Sequence, residues 1–364
     1  MSGAILMIGP FPPPVHGASL VTARLADRLR PFLQVRTRDI SQGSARGLGY
    51  HATRACRTLA AAASILSSDR DCWVYLSAAG GSGLIYTAFL VAAARLSGRR
   101  LIVHHHSFAY INRRSALMAM VAAAGGPAAL HLALCPRMAE RLSALYPRAA
   151  RTSVLSNAFL FAAAPARAAN EAAPLRLGHL SNLSREKGLH DVLALQADLA
   201  RDHVASELLL GGGTADPVDA AAIAAAVAKG EARHLGPLYD GAKDSFLAGL
   251  DVFLFPSRYV NEAEPLVVFE ALAQGLPVLA YDRGCIAEQI GDEGGAAYGA
   301  EESFAERAGA QVKAWAADRS LLRAAQDRAR ARMAALSQEA VRQFAAFLAI
   351  LGVAQDAISM GEPR

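Results

Sequence analysis

Short apolar runs alternate with amphipathic stretches along most of the chain. Residues 4–8 form an uninterrupted apolar run bounded by a Gly/Pro loop, the pattern of a buried strand. Residues 18–30 then place apolar side chains at helical spacing. The same reading predicts strands at 33–35, 73–76, 101–105 and 130–134, and helices at 51–66 and 84–96. Alternation of this kind predicts a parallel, doubly wound sheet. The rhythm breaks from about Asn157 to Pro174, where Ala-rich, Pro-containing sequence reads as a linker. It resumes with strands at 175–180, 207–210, 252–255 and 278–280 and helices at 189–199, 218–229 and 265–274. The end is helical, over 303–334 and again over 338–351. The expected fold class is α/β, with two doubly wound parallel-sheet (Rossmann-like) domains facing a ligand cleft. Their expected limits are 1–165 and 170–335, with 336–364 a C-terminal helix packing back on the first.

The 364 residues suit two domains, and 53% hydrophobic residues supply two cores. Residues 116–135 carry no charge, but Gly125-Gly126-Pro127 interrupts them, so they read as helix, turn and strand instead of a membrane span. No basic residue precedes the first apolar run, which therefore reads as a strand and not a signal peptide. Cys56, Cys72, Cys135 and Cys285 lie far apart without C-x-x-C spacing. They read as four small unpaired hydrophobes in a reducing compartment, with no disulfide framework and no zinc site.

Charge changes the picture when divided by region. Residues 1–150 hold 17 Arg, no Lys and 5 acids, a net of +12, whereas the whole chain is +5 and the remainder therefore −7. Concentrated basic charge points to an anionic partner such as lipid head groups, a lipid diphosphate or nucleic acid. The competing explanation is a general Arg bias spread over a solvated surface.

Four segments carry candidate chemistry. Glu262-Ala263-Glu264-Pro265-Leu266-Val267 follows a strand and leads into a helix containing Glu270. Pro265 suits the first helical turn, and the N–H groups near Leu266 and Val267 make a site for the diphosphate of a nucleotide sugar. Glu262, in the loop, and Glu270, in the helix, can reach different parts of one ligand, the sugar and the ribose hydroxyls. The loop Gly178-His179-Leu180-Ser181-Asn182-Leu183-Ser184-Arg185-Glu186-Lys187-Gly188 holds one of only four lysines in the chain. Gly9 to Ser19 links the first strand to the first helix, with Gly17 permitting close backbone approach to an anion. His104-His105-His106 ends a strand, where alternating direction prevents all three from ligating one metal ion.

With these residues in view, the chain resembles the retaining glycosyltransferases of the GT-B fold, family 4 (group 1). The likeness rests on the E-x7-E pair Glu262 and Glu270, and continues through Ala271-Leu272-Ala273-Gln274-Gly275-Leu276-Pro277-Val278 to Gly284 and Glu288. The resemblance implies that Lys187 grips the donor phosphates and that His106, with His105 second, contacts the donor sugar. Asn182 stands where the family usually has Arg, so Arg185 is the expected source of the missing charge. Glu264 replaces a usually apolar residue, which bears on donor identity. The sole D-x-D, Asp69-Arg70-Asp71, precedes a strand and reads as a surface turn, so no metal and no cofactor are expected.

The resemblance implies a metal-independent enzyme moving a sugar from a nucleoside-diphosphate sugar to a glycan or lipid-linked acceptor in cell-surface polysaccharide synthesis. The expected setting is cytoplasmic, peripheral at the inner membrane face, with an anionic membrane surface and no nucleic acid as partner. A sugar-nucleotide epimerase of the same fold and a non-catalytic nucleotide-binding scaffold are the alternatives.

Overall fold

Strand and helix alternate throughout the computed structural model, which describes residues 3–13, 17–41, 48–78, 80–163 and 174–354, with the side chains of 48–51 left aside. The chain divides into two units: residues 1–160 with 339–364, and residues 161–338.

The first unit runs β1 (Ala4–Gly9), α1 (Gly17–Leu29), β2 (Gln34–Asp39), α2 (Leu48–Leu66), β3 (Trp73–Ala78), α3 (Leu84–Leu96) and β4 (Arg100–His105). It continues with α4 (Ala116–Gly125), β5 (Leu130–Ala133), α5 (Pro136–Leu145) and β6 (Arg151–Val154). The six strands are parallel, in the order β2-β1-β3-β4-β5-β6. β3 is buried at all six positions, as a strand covered on both faces must be, and its apolar run reflects that. Residues 339–354 pack within this unit: the Trp73 indole donates to the Leu351 carbonyl at 3.3 Å, and the Phe159 and Phe344 rings stack at 5.9 Å.

The second unit runs β7 (Leu175–Leu180), α6 (Leu189–Arg201), β8 (Ser206–Gly211), α7 (Pro217–Ala228), β9 (Ala232–His234), α8 (Asp240–Ala248) and β10 (Val252–Phe255). Then come α9 (Leu266–Ala273), β11 (Val278–Tyr281), α10 (Ile286–Ile290), β12 (Gly295–Tyr298), α11 (Phe304–Ala317) and α12 (Arg319–Ile350), the last continuing into the first unit from residue 339. Its parallel strands follow the order β12-β11-β10-β7-β8-β9. Leu175, Leu177, Leu208, Leu210 and Leu254 from the sheet meet Leu195, Val312 and Trp315 from the helices in its core. Helix starts follow local chemistry: the Asp216 carboxylate accepts from the amides of Val218 at 2.7 Å and Asp219 at 3.4 Å, with Pro217 in the first turn.

Several expectations need correction. The first unit ends at 160, not 165, and takes back residues from 339, not 336. The C-terminal helices divide at Asp318 instead of near 335. Asp318 is extended (φ −134°, ψ 101°) and its carboxylate accepts from the Ser320 amide at 2.8 Å, a side-chain cap that starts α12. Of the linker, residues 164–173 lie outside the described residues. The expectation for cysteine fails twice over. Cys56 is exposed, and Cys135 and Cys285 are in disulfide form, leaving Cys56 and Cys72 as free thiols among the described residues. Local spacing carries no signal for the oxidation state of an isolated cysteine.

Candidate functional site

In the second unit β10 lies beside β7, so the loops after these two strands rise side by side at the point where strand order reverses. Open α/β sheets form their ligand crevice there. The loop after β7 closes in a short turn, Arg185–Lys187, whose first amides are capped by Ser184: its hydroxyl accepts from the Lys187 amide at 3.2 Å. Gly188 follows in the left-handed region (φ +86°). A Cβ there would sit 2.1 Å from the Pro256 carbonyl oxygen, so only glycine lets this turn press against the loop after β10. The two loops are tied again by the Arg258 amide, which donates to the Glu186 carbonyl at 2.9 Å. The Arg258 guanidinium forks onto Asp191 at 2.8 and 2.6 Å and lies 5.0 Å from the Tyr281 ring centroid.

Held this way, Lys187 reaches Glu262 directly. Its ammonium donates to Glu262 Oε2 at 2.7 Å, the Ser257 hydroxyl donates to the same oxygen at 2.7 Å, and the Tyr259 ring centroid lies 4.9 Å from Nζ. The side chains are 25% and 11% exposed, so the pair sits in a partly dry pocket where charge acts more strongly than at the surface. The Glu262 backbone is fixed from below by Gly284 (φ +57°), where a Cβ would fall 2.2 Å from the Glu262 carbonyl oxygen.

α9 opens at Leu266. Pro265 stands just outside it as the N-cap (φ −65°, ψ 126°), one residue earlier than expected, because its extended ψ keeps it out of the helix. The amides of Leu266 and Val267 therefore belong to the first turn, beyond reach of the helix's own ladder. Glu270, one turn on, pairs with Lys243 of α8 at 2.6 Å. Lys243 was not anticipated. It stands in a short helix between Gly241 and Gly249, and only tertiary packing brings it to Glu270, 27 residues away.

The other donor-side residues are placed differently. Asn182 and Arg185 are exposed, and neither side chain makes an ion pair or hydrogen bond among the described residues. The Arg185 amide, in contrast, donates to buried Asp219 at 3.2 Å, which also pairs with His190 at 2.7 Å and so pins the turn. Glu264 is buried, turned in from solvent. Beneath the crevice His179 is fully buried, with Nδ1 2.9 Å from the Leu254 carbonyl and Nε2 2.9 Å from the Ser181 hydroxyl. These partners put the proton on Nδ1. Burial, assisted by the Lys187 charge, holds its pKa down to about 4.

In the first unit β4 ends in the three histidines. His104 Nδ1 lies 2.7 Å from the Tyr75 hydroxyl. His105 lies 3.0 Å from the Tyr110 hydroxyl and 3.0 Å from His131. Both His104 and His105 are fully buried, and burial above all keeps them neutral, well below the ordinary histidine pKa. His106, the next residue, is partly exposed, its ring centroid 4.1 Å from that of His104. His104 and His105 point to opposite faces of a strand covered on both sides, so both are buried, whereas His106 lies just past the end of β4. Gly17 opens α1 in an exposed position where a Cβ would meet nothing within 4 Å, so the protein itself does not demand glycine there. Pro14 to His16 of its loop lie outside the described residues.

Residues 166–332 match the family model described as "Glycosyl transferases group 1". No curated protein sequence matches the chain. Among solved structures, sucrose-phosphate synthase from Thermosynechococcus elongatus is similar at 15% identity and a TM-score of 0.70, over 96% of this chain and 100% of that one. Anabaena HepE in complex with UDP-glucose is similar at 17% identity and 0.66, over 94% and 99%. WaaG, a glycosyltransferase involved in lipopolysaccharide biosynthesis, is similar at 15% and 0.63, over 92% and 98%. At these identities the likeness shows the fold, and the fold is GT-B.

Proposed function

We propose, from the group 1 glycosyl transferase domain of residues 166–332 and the charged crevice it contains, that the protein is a retaining, metal-independent family 4 glycosyltransferase. It would take a nucleoside-diphosphate sugar as donor and a glycan or lipid-linked acceptor of cell-surface polysaccharide synthesis, at a membrane face. One observation carries the reading: Lys187 and Glu262 meet at 2.7 Å at the strand-order reversal, beside the free first turn of α9. An ammonium and helix N-terminal amides together form a diphosphate site, and the adjacent carboxylate meets the sugar. The HepE complex with UDP-glucose, on the same fold, supports a donor of this class.

In this mechanism the donor diphosphate draws Lys187 from Glu262, and the ammonium with the Leu266 and Val267 amides stabilises charge as the sugar–phosphate bond breaks. Glu262, still hydrogen-bonded by Ser257, is left to accept from sugar hydroxyls. Glu270 accepts from the ribose diol, with Lys243 holding one of its oxygens. Exposed Arg185 is the cation that substitutes for the family Arg at Asn182. His106, partly exposed where His104 and His105 are buried, serves the sugar.

Thermal shift with a nucleoside-diphosphate panel, followed by incubation with lipid-linked acceptors, tests the proposal. Nucleotide binding without transfer would return the scaffold reading, and donor conversion without acceptor the epimerase. Activity is expected to survive EDTA, and loss in chelator restored by Mn²⁺ would overturn metal independence. Glu270→Ala should raise the donor KM by about 10- to 150-fold, the equivalent of roughly 1.5–3 kcal/mol for hydrogen bonds to a charged group. Glu262→Ala should instead depress kcat. Identical changes in both constants for the two variants would remove the division of roles.

A further inference from the structure

The first unit presents an apolar face that its own fold leaves uncovered. On α3, Ile85, Phe89, Ala92 and Leu96 follow the i, i+4, i+7, i+11 spacing of a buried stripe. Yet Leu96 is 89% exposed and Ile85 and Phe89 about half. α3 packs between α2 and α4, and both neighbours repeat the pattern. Leu59, Ala63 and Leu66 make the stripe on α2, the two leucines each 61% exposed, and Ala116, Met120 and Ala123 make it on α4. Right-handed crossovers from β2 through β5 put these three helices on one side of the sheet, so the stripes share a layer. Six of the large hydrophobic side chains exposed among the described residues lie here, a concentration that marks an interaction surface instead of scattered exposure.

Charge identifies the partner. No Asp or Glu occurs from residue 72 to 139 or anywhere in α2, while Arg54, Arg57, Arg95, Arg113 and Arg114 lie in or beside these helices. Arg99 is committed within the unit: its guanidinium donates to the carbonyls of Leu66 at 3.2 Å and Ser97 at 3.0 Å, fastening the ends of α2 and α3. Arg100 lies over the Trp73 ring at 5.5 Å. Arg113 and Arg114, just ahead of α4, are exposed and make no ion pair among the described residues. The nearest carboxylates, Asp39 and Asp71, are paired with Arg57 and Arg100, so a second copy of the chain would bring one arginine-rich face against another, which like charge opposes.

We propose that the outer face of α2, α3 and α4 seats on an anionic lipid bilayer, with Phe89, Ile85 and Leu96 entering the acyl boundary and Arg113 and Arg114 meeting the lipid phosphates. This deepens the membrane setting proposed above and leaves the nucleotide crevice untouched. It differs from simple electrostatic attachment in that part of the binding is apolar and resists salt.

Co-sedimentation of the full chain with phosphatidylglycerol–phosphatidylcholine vesicles, across a salt series, tests it. The wild type is expected to bind and to retain a fraction at high salt. Ile85→Gln/Phe89→Gln/Leu96→Gln should lower partition at least about tenfold at every salt concentration. Arg113→Gln/Arg114→Gln should lower it at low salt only. Circular dichroism and nucleoside-diphosphate binding of the same samples confirm folding and keep this test separate from that of the donor site. Unchanged vesicle binding by the triple variant, or no binding by the wild type, overturns the proposal. Self-association in sedimentation velocity that Phe89→Gln abolishes, without vesicle binding, would reassign the face to a contact between copies.

Discussion

Lys187→Ala should weaken nucleoside-diphosphate binding by about 10- to 150-fold, the range expected when a charge-assisted hydrogen bond of roughly 1.5–3 kcal/mol is lost. The loss should fall in the upper part of that range, because the substitution does more than remove a cation. Glu262, 11% exposed, would keep its Ser257 partner but lose its counter-charge, and an uncompensated carboxylate would then face the arriving diphosphate. The same reasoning predicts modest destabilisation of the ligand-free protein. A double variant separates the two effects: Lys187→Ala/Glu262→Gln should regain stability while remaining poor in nucleotide affinity. Calorimetry and thermal melts of the wild type and both variants provide the measurement. Unchanged affinity in the single variant would remove Lys187 from the phosphate site.

The second large effect is acid lability, and it should strike the two units unequally. His104, His105 and His131 are buried and neutral in the first unit, and His179 alone in the second. Burial lowers His131 and His179 to about 4, so below the ordinary value of 6.5 the unfolded chain takes up protons that the folded one refuses. Stability is therefore complete above about pH 6.5 and falls as pH drops from there toward 4. At pH 5 each of these two groups costs roughly 2 kcal/mol. His104 and His105 act in the same direction, so the first unit should open first. Hydrogen exchange at pH 5 should show β4 and β5 losing protection before β7 and β10. Earlier loss in the second unit would mean that another group governs acid unfolding.

How much of this was legible beforehand follows from the range of each signal. Lys187, Glu262 and Glu270 announce themselves through local pattern, a Gly-flanked loop and a loop-to-helix junction, and the fold brings Lys187 and Glu262 together. Strands that run apolar through a covered sheet, such as β3 and β10, are equally plain. β6, β9 and β12, at or near the sheet edges and only three or four residues long, offer too few residues for periodicity, and α8 is too short and polar for an amphipathic signal. Contacts made across long separations leave no trace in spacing. Lys243 against Glu270 and Arg99 against the ends of two helices are of this kind.

The Arg258 fork onto Asp191, with its amide on Glu186, has a kinetic consequence. It joins the loop bearing Lys187 to the loop bearing Glu262, so the crevice walls are assembled before any nucleotide arrives. Little loop ordering then remains for the binding step, and the encounter need not wait for a conformational search. Different donors should associate at similar rates, and the protein's preference among them should be written in how long each one stays.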